Sequence, residues 1–438
     1  MTAEVQAPPA KPTFAEAFRF WLKLGFINFG GPAGQIAIMH RELVDRKQWI
    51  SEPAFLRALN FATLLPGPEA QQLAIYVGWR LHGTLGGIVA GSFFVIPSIF
   101  VLMLLSYLVA EHSDVTLIAG LLYGIQAVVI AIVLEAVIRI GRRALRHWAL
   151  FAIAGGAFVS LYFLKLPFPL VVAGAALLGL VLQSRWPAVF RPARHGGAAD
   201  DAHLPEGASY PPVTRVLLIV AIFLLLWAIP VAALWLWRGP ADVVTQEAIF
   251  FTQAAFVTFG GAYAVLSYIA DVTVNQFHWI DAAQMVQGLG LAESTPGPLI
   301  MVTQYVGFLA AWRLHGEFNP ILNGILGGLV TTYATFLPCF MFIFAGAPYI
   351  EALASNRRLQ AALTAVTAAV VGVILNLAVF FATKVLAADG RSLDVFALVM
   401  AVGAYLLMWR LHWQVYYLVP AGAVLGALWT VGRPTLGI

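Results

Sequence analysis

Of 438 residues, 61% are apolar and only 11% are charged, whereas soluble domains run at roughly 45–50% and about 25%. So few charges cannot coat a water-facing surface, which excludes a soluble globular protein and points to a polytopic α-helical membrane protein. The net charge of +4 is modest and its basic residues sit mainly in short loops, so it is read as topology information and not as nucleic-acid binding.

Residues 1–12 form an Ala/Pro-rich polar tail without an apolar core, so no cleavable secretory signal is read there and the tail is expected to be disordered. Six apolar segments follow, at 13–39, 53–80, 84–110, 115–139, 147–164 and 168–183. A polar Pro/Gly-rich linker at 184–212 leads into an extra apolar segment at 213–237, read as a linking transmembrane helix. Six more lie at 245–270, 283–312, 319–347, 358–386, 393–409 and 411–431. Runs such as 88–109, 117–138, 216–237 and 359–381 hold about 20 residues, enough to cross a core about 30 Å thick. The sole cysteine, Cys339, lies in such a run, and the histidines form no ligand-like cluster. No disulfide, metal or cofactor is expected.

The two sets of six are copies of one unit, 13–183 and 245–432. Phe26-Ile27-Asn28-Phe29-Gly30-Gly31 recurs as Phe256-Val257-Thr258-Phe259-Gly260-Gly261, an offset of 230 shared by Trp49-Ile50 with Trp279-Ile280 and by Pro66-Gly67-Pro68 with Pro296-Gly297-Pro298. Further on, the offset settles at 241, pairing Gly86-Gly87 with Gly327-Gly328, Pro97 with Pro338 and Glu135 with Asn376. Charge is reversed between equivalent loops. Arg41, Arg46, Lys47 and Arg57 face Asp271 and Asp281, while Glu111 and Asp114 face Arg357 and Arg358. Because Lys and Arg favour the cytoplasm, the copies are expected to be inverted, as in many secondary transporters. The charges agree best if the first two segments of each copy enter and return, giving four re-entrant hairpins and nine full spans. The alternative is 10–13 ordinary spans. Loops 40–57, 139–147 and 184–215 are then cytoplasmic and 271–282 external.

Each expected hairpin carries a helix break: Gly30-Gly31-Pro32, Pro66-Gly67-Pro68, Gly260-Gly261 and Pro296-Gly297-Pro298. Proline removes a backbone donor and glycine permits the turn. Broken backbone at membrane depth is tolerated where it lines a cavity or is buried in protein. Half-helix N-termini meeting there would offer free N–H groups and partial positive charge to an anion. The competing reading is that these residues only permit kinks and close packing. Polar candidates around the breaks are Asn28, Gln35, Asn60, Gln71, Gln72, Thr258, Ser294, Thr295 and Gln304. Part of this set is expected to satisfy freed backbone groups instead of a ligand. Glu69 and Glu293 are ionisable residues inside apolar segments, a functional signal by default. They are coupling candidates, because burial favours the neutral carboxyl; the alternative is pairing with a nearby arginine. Glu135 has Arg139 one turn away to pair with. Arg80 and Arg313 are repeat-equivalent; a dianion contact competes there with interfacial anchoring, the commoner role.

On these motifs the chain resembles the chromate ion transporter family, long-chain two-domain type. The resemblance rests on Phe29-Gly30-Gly31-Pro32 with Leu65-Pro66-Gly67-Pro68, then Phe259-Gly260-Gly261-Ala262 with Thr295-Pro296-Gly297-Pro298, and spans roughly residues 14–432. Ala262 stands where the first copy has Pro32, so the second tip need not copy the first. The resemblance implies efflux of chromate across the inner membrane and chromate resistance. Sulfate, which matches chromate in shape, is the alternative substrate, and a channel the alternative mechanism. Expected partners are the oxyanion, the lipid bilayer and a proton or counter-ion, with homodimer formation left open. An enzyme would need a nucleophile–base pair or metal cluster, and the sequence offers neither.

Overall fold

The computed structural model describes residues 11–190, 212–350, 356–387 and 392–432. The tail up to residue 10, most of the 184–212 linker, and Asp389 and Arg391 of the loop after the fourth segment of copy two lie outside the described residues. Among those described, the regular structure is entirely helical.

Copy one opens with α1 (Phe14–Ile27), α2 (Gly31–His40), a π-helical turn (Arg41–Arg46) and α3 (Glu52–Ala62). Next comes α4 (Glu69–His112), which departs from helical geometry at His82 and Gly83 and so has two arms, 69–81 and 84–112. It ends with α5 (Thr116–Ala144), α6 (Trp148–Tyr162) and α7 (Phe168–Arg185). After the linking α8 (Val213–Arg238), copy two repeats the order: α9 (Val243–Phe256), α10 (Ala262–Ala270), a π-helical turn (Asp271–Gln276), α11 (Ala282–Ser294) and α12 (Val302–Arg313). The copy closes with α13 (Pro320–Gly346), α14 (Arg357–Leu386), α15 (Val395–Leu411) and α16 (Val415–Gly432). The order of elements over 243–432 thus follows that over 14–185, down to the paired π-helical turns.

The four segments expected to be broken are broken. α1, the longest helix of the first pair, has 14 residues, which at 1.5 Å per residue is about 21 Å, short of the hydrocarbon core. α2, α3, α9, α10, α11 and α12 are no longer. Among the described residues, seven other helices are long and apolar enough to cross; Trp148–Tyr162 and Val395–Leu411, also expected as spans, are apolar but shorter, at 15 and 17 residues.

The copies are interlocked. α16 and α15 of copy two pack along α5 of copy one, while α6 and α7 of copy one pack along α14 of copy two. Small residues permit the approach: a Cβ on Gly124 would stand 2.0 Å from the Gly422 carbonyl, and one on Gly372 2.0 Å from that of Ala154. Without a hydrophobic drive between helices in lipid, such backbone proximity is what holds them together.

Candidate functional site

The tips of the broken helices meet across the copies, and they do so reciprocally. The Gly67 N–H donates to the Thr258 carbonyl (2.9 Å), and the Gly297 N–H to the Asn28 carbonyl (3.4 Å). Gly67 and Gly297 are repeat equivalents, as are Asn28 and Thr258. Each Pro-Gly-Pro tip thus rests on the Gly-Gly tip of the other copy. Both glycines adopt positive φ, 126° and 115°, and both are buried. A Cβ on Gly67 would lie 2.6 Å from Gln72 Nε2 and 2.9 Å from Cys339 Sγ, and one on Gly297 2.6 Å from Ser98 Cβ and Oγ. Ser98 and Cys339 are themselves equivalent, each following the proline inside its helix, Pro97 in α4 and Pro338 in α13.

Several candidates serve this scaffold. Gln35 Nε2 donates to the carbonyls of Asn28 (2.9 Å) and Gly297 (2.6 Å), stitching the two copies together. Gln72 Nε2 donates to the Pro66 carbonyl (2.7 Å), Asn28 Nδ2 to Phe94 (3.2 Å) and Gln304 Nε2 to Ile99 (2.8 Å). Thr258, Ser294 and Thr295 bond back to carbonyls of their own helices. These groups satisfy backbone that the breaks set free. Gln71 differs: it is fully buried at the third position of α4, and neither end of its amide has a partner among the described residues.

Helix N-termini away from the tips are mixed: those of α3, α5, α7 and α8 have no side-chain cap hydrogen bond, whereas others do. Thr13, Asp242, Asp281, Asn319 and Asn356 cap α1, α9, α11, α13 and α14 with side-chain hydrogen bonds. At the tips, α2 begins after Gly30, α4 after Pro68, α10 after Gly261, and the turn Leu299–Met301 leading into α12 after Pro298, and none has a side-chain cap. A half-helix therefore begins beside each partner of the two reciprocal contacts.

Glu69 and Glu293 flank this junction differently. Glu69 is half-buried at the first position of α4, where the helix dipole favours a carboxylate. Glu293 is buried near the C-terminal end of α11, where the dipole works against negative charge. Its Oε1 accepts a hydrogen bond from the Tyr263 hydroxyl in α10. Its Oε2 lies 4.0 Å from where a Cβ on Gly31 would stand, which puts it at the opposite copy's tip. Sequence reasoning missed Tyr263, because an aromatic in an apolar segment gives no signal until its partner is known.

Other candidates lie apart. Asn60 is exposed, as are Arg80 and Arg313. Arg80 lies 11 residues beyond Glu69 on α4, about 16 Å along the helix, and Arg313 closes α12. Both stand at the far ends of their half-helices, away from the tips. Glu135 pairs with Arg139 at 3.4 Å, the pairing weighed from their spacing.

A model of the chromate transporter family matches residues 15–180 and 245–427, one stretch in each copy. The chain belongs to the chromate transporter family. It is 32% identical over 431 residues to the chromate transport protein of Pseudomonas aeruginosa, covering 97% of this chain and 95% of the relative. It is 27% identical over 379 residues to the chromate transport protein of Cupriavidus metallidurans, covering 85% and 83%. A probable chromate transport protein of Synechococcus elongatus is 28% identical over 358 residues, covering 81% of each chain. No solved structure matches.

Proposed function

We propose that the protein is a secondary transporter that exports chromate across the inner membrane by alternating access, so lowering cytoplasmic chromate and giving resistance. The observation that carries this reading is the pair of reciprocal contacts by which each copy's Pro-Gly-Pro tip rests on the other copy's Gly-Gly tip, with a half-helix beginning at each tip. Free N–H groups and helix dipoles there suit a tetrahedral dianion, with no lysine or arginine needed at the tips. Gln71 supplies a further donor, and Gly30, Gly31, Gly260 and Gly261 let backbone approach the ion. Glu69 already offers a carboxylate to the α4 N-terminus, so the dianion is assigned mainly to the N-termini of α2, α10 and α12.

Chromate and sulfate share charge and shape, and the same donors would serve both. Everted vesicles given labelled chromate test the reading, with unlabelled sulfate as competitor. Saturable accumulation that collapses with the ion gradient is expected. Flux that neither saturates nor depends on a gradient would mean a channel, and no flux would end the proposal.

Alternating access follows from inverted topology. If the four tip hairpins return to the side they entered from, five crossings separate the copies: the second arm of α4, then α5, α6, α7 and α8. An odd number places equivalent loops on opposite faces. Asp45 and Asn275 are exposed, equivalent positions in the two π-helical turns. Single cysteines at 45 and 275, in a Cys339→Ala background, are expected to react with impermeant thiol reagents from opposite sides. Reaction from the same side would exclude inversion.

A further inference from the structure

Glu247 stands outside both the anion site and the set of residues that the sequence singles out. It lies in the second turn of α9, is fully buried, and neither carboxyl oxygen has a hydrogen-bond partner among the described residues. Its Oε2 is 2.9 Å from where a Cβ on Gly327 of α13 would stand. That same point is 2.5 Å from Ala311 Cβ and from the Gly307 carbonyl, both of α12. The carboxyl group therefore plugs the junction of α9, α12 and α13, and glycine at 327 leaves the room for it. At the repeat offset of 230, copy one has Ala17 in this place, buried against α4. The packing as such does not require an acid.

No neighbouring element places a counter-charge in hydrogen-bond contact with it. Arg238 and Asp242 are the charged groups near enough to act on Glu247, but they pair with each other at 3.0 Å. Asp242 also caps α9 through the Val244 N–H, and the Arg238 guanidinium stacks over the Phe318 ring at 3.9 Å. The other arginine of α8, Arg215, lies at its opposite end. α13 carries Tyr333, whose hydroxyl donates to the Leu226 carbonyl, and the buried thiol of Cys339, twelve residues beyond Gly327 and directed at the Thr335 carbonyl. α12 offers Tyr305, directed at Gln287, and the exposed Arg313. The loop before α13 holds His315 and Glu317, and α10 offers Tyr263, bonded to Glu293, and Tyr268.

A bare carboxylate here would lose its hydration with no hydrogen bond in exchange, and Asp242 offsets the attraction of Arg238, so taking up a proton costs less. We propose that Glu247 is a proton-binding site: it holds a proton while α9, α12 and α13 are packed together, and releases it when the junction parts and admits water. The ionised carboxylate then keeps the junction open until a proton returns. In the proposed topology the site lies a little inside the external mouth, so the proton exchanges with the outside. The role in the cycle rests on the transport reading; the proton itself does not.

Infrared difference spectroscopy on the full-length protein in lipid, wild type minus Glu247→Gln, reads the proton directly. A carboxylic C=O band at neutral pH, absent from the variant, is expected; ionised carboxylate bands in its place would overturn the assignment. Glutamine copies the neutral form, so the variant should fold with unchanged or higher thermal stability, and failure to fold would also count against the proposal. In vesicles, Glu247→Gln should bind chromate as tightly as wild type, lose roughly tenfold in turnover because the junction cannot be charged open, and lose the pH dependence of turnover. Unchanged turnover with an unchanged pH profile would remove Glu247 from the cycle. If wild type itself moves neither chromate nor sulfate, the transport reading fails and the infrared result still decides the site.

Discussion

Alanine at Gly67 or Gly297 is expected to cut chromate transport by one to two orders of magnitude while the protein still reaches the membrane. Each glycine sits at a positive φ that other residues adopt only under strain, and each is the point where one copy's tip donates to the other's backbone. The strain costs about 1–3 kcal/mol, equivalent to roughly 5–150-fold in an equilibrium. It falls on the junction, where each tip donates to the other copy's backbone. The copies should differ in rescue. The new methyl at 297 meets only Ser98 at close range, the next atom being Met301 Cγ at 3.9 Å, whereas the methyl at 67 meets both Gln72 and Cys339. Ser98→Gly should therefore restore part of the transport lost in Gly297→Ala. Cys339→Ala should restore little in Gly67→Ala, because Gln72 Nε2 remains 2.6 Å away. Membrane content and gel-filtration profile, measured beside vesicle uptake, separate lost function from lost fold. Full transport in both alanine variants would make the breaks incidental.

The parts of this architecture that were legible in the sequence are those written as local chemistry. Phe-Gly-Gly and Pro-Gly-Pro mark breaks because glycine and proline act on their own backbone, so the four broken segments and the duplication could be read residue by residue. Gly86-Gly87 and Gly327-Gly328 were legible as equivalents, and their role is close helix approach: a Cβ on Gly86 would stand 2.3 Å from the Gly78 carbonyl, and one on Gly327 2.5 Å from that of Gly307. What pairs with what across the copies was not legible. Nothing in the order of residues announces that Gly67 rests on Thr258, or that α5 receives the last two helices of copy two. The expectation that some polar candidates serve the backbone was met by Gln35, Gln72 and Thr258, but which ones could be assigned only once their carbonyl partners were in place. Glu247 escaped notice for a related reason. With Asp242 and Gln246 beside it, it reads as the polar start of a helix, and its burial depends on Gly307, Ala311 and Gly327, more than fifty residues downstream.

Neutralising Glu293 is expected to tighten chromate binding and to remove its pH dependence. The carboxyl group accepts from Tyr263 and faces the tip at Gly31, beside the α2 N-terminus assigned to the dianion. An ionised Glu293 would repel chromate, so the protein should bind the ion with Glu293 protonated and release it as the proton leaves. Affinity in the wild type should then fall as pH rises through the range where Glu293 ionises, whereas Glu293→Gln should hold the low-pH affinity throughout. An opposing term of only 1.4 kcal/mol makes this about tenfold. Glutamine keeps an oxygen for Tyr263 to donate to, so the local fold should survive. Tyr263→Phe, which removes the donor and leaves the acid, should shift the pH profile without abolishing it. Chromate's own protonation acts on all three proteins alike and is subtracted by comparison. Glu69→Gln provides the contrast. Its carboxylate sits on a helix N-terminus that favours the charge, so its loss should free that N-terminus for the anion and leave the pH profile in place. Equilibrium binding of labelled chromate to purified protein across pH, with sulfate competition, measures each of these outcomes. A Glu293→Gln profile that overlays the wild type would show that the proton acts elsewhere, with Glu247 the next group to test.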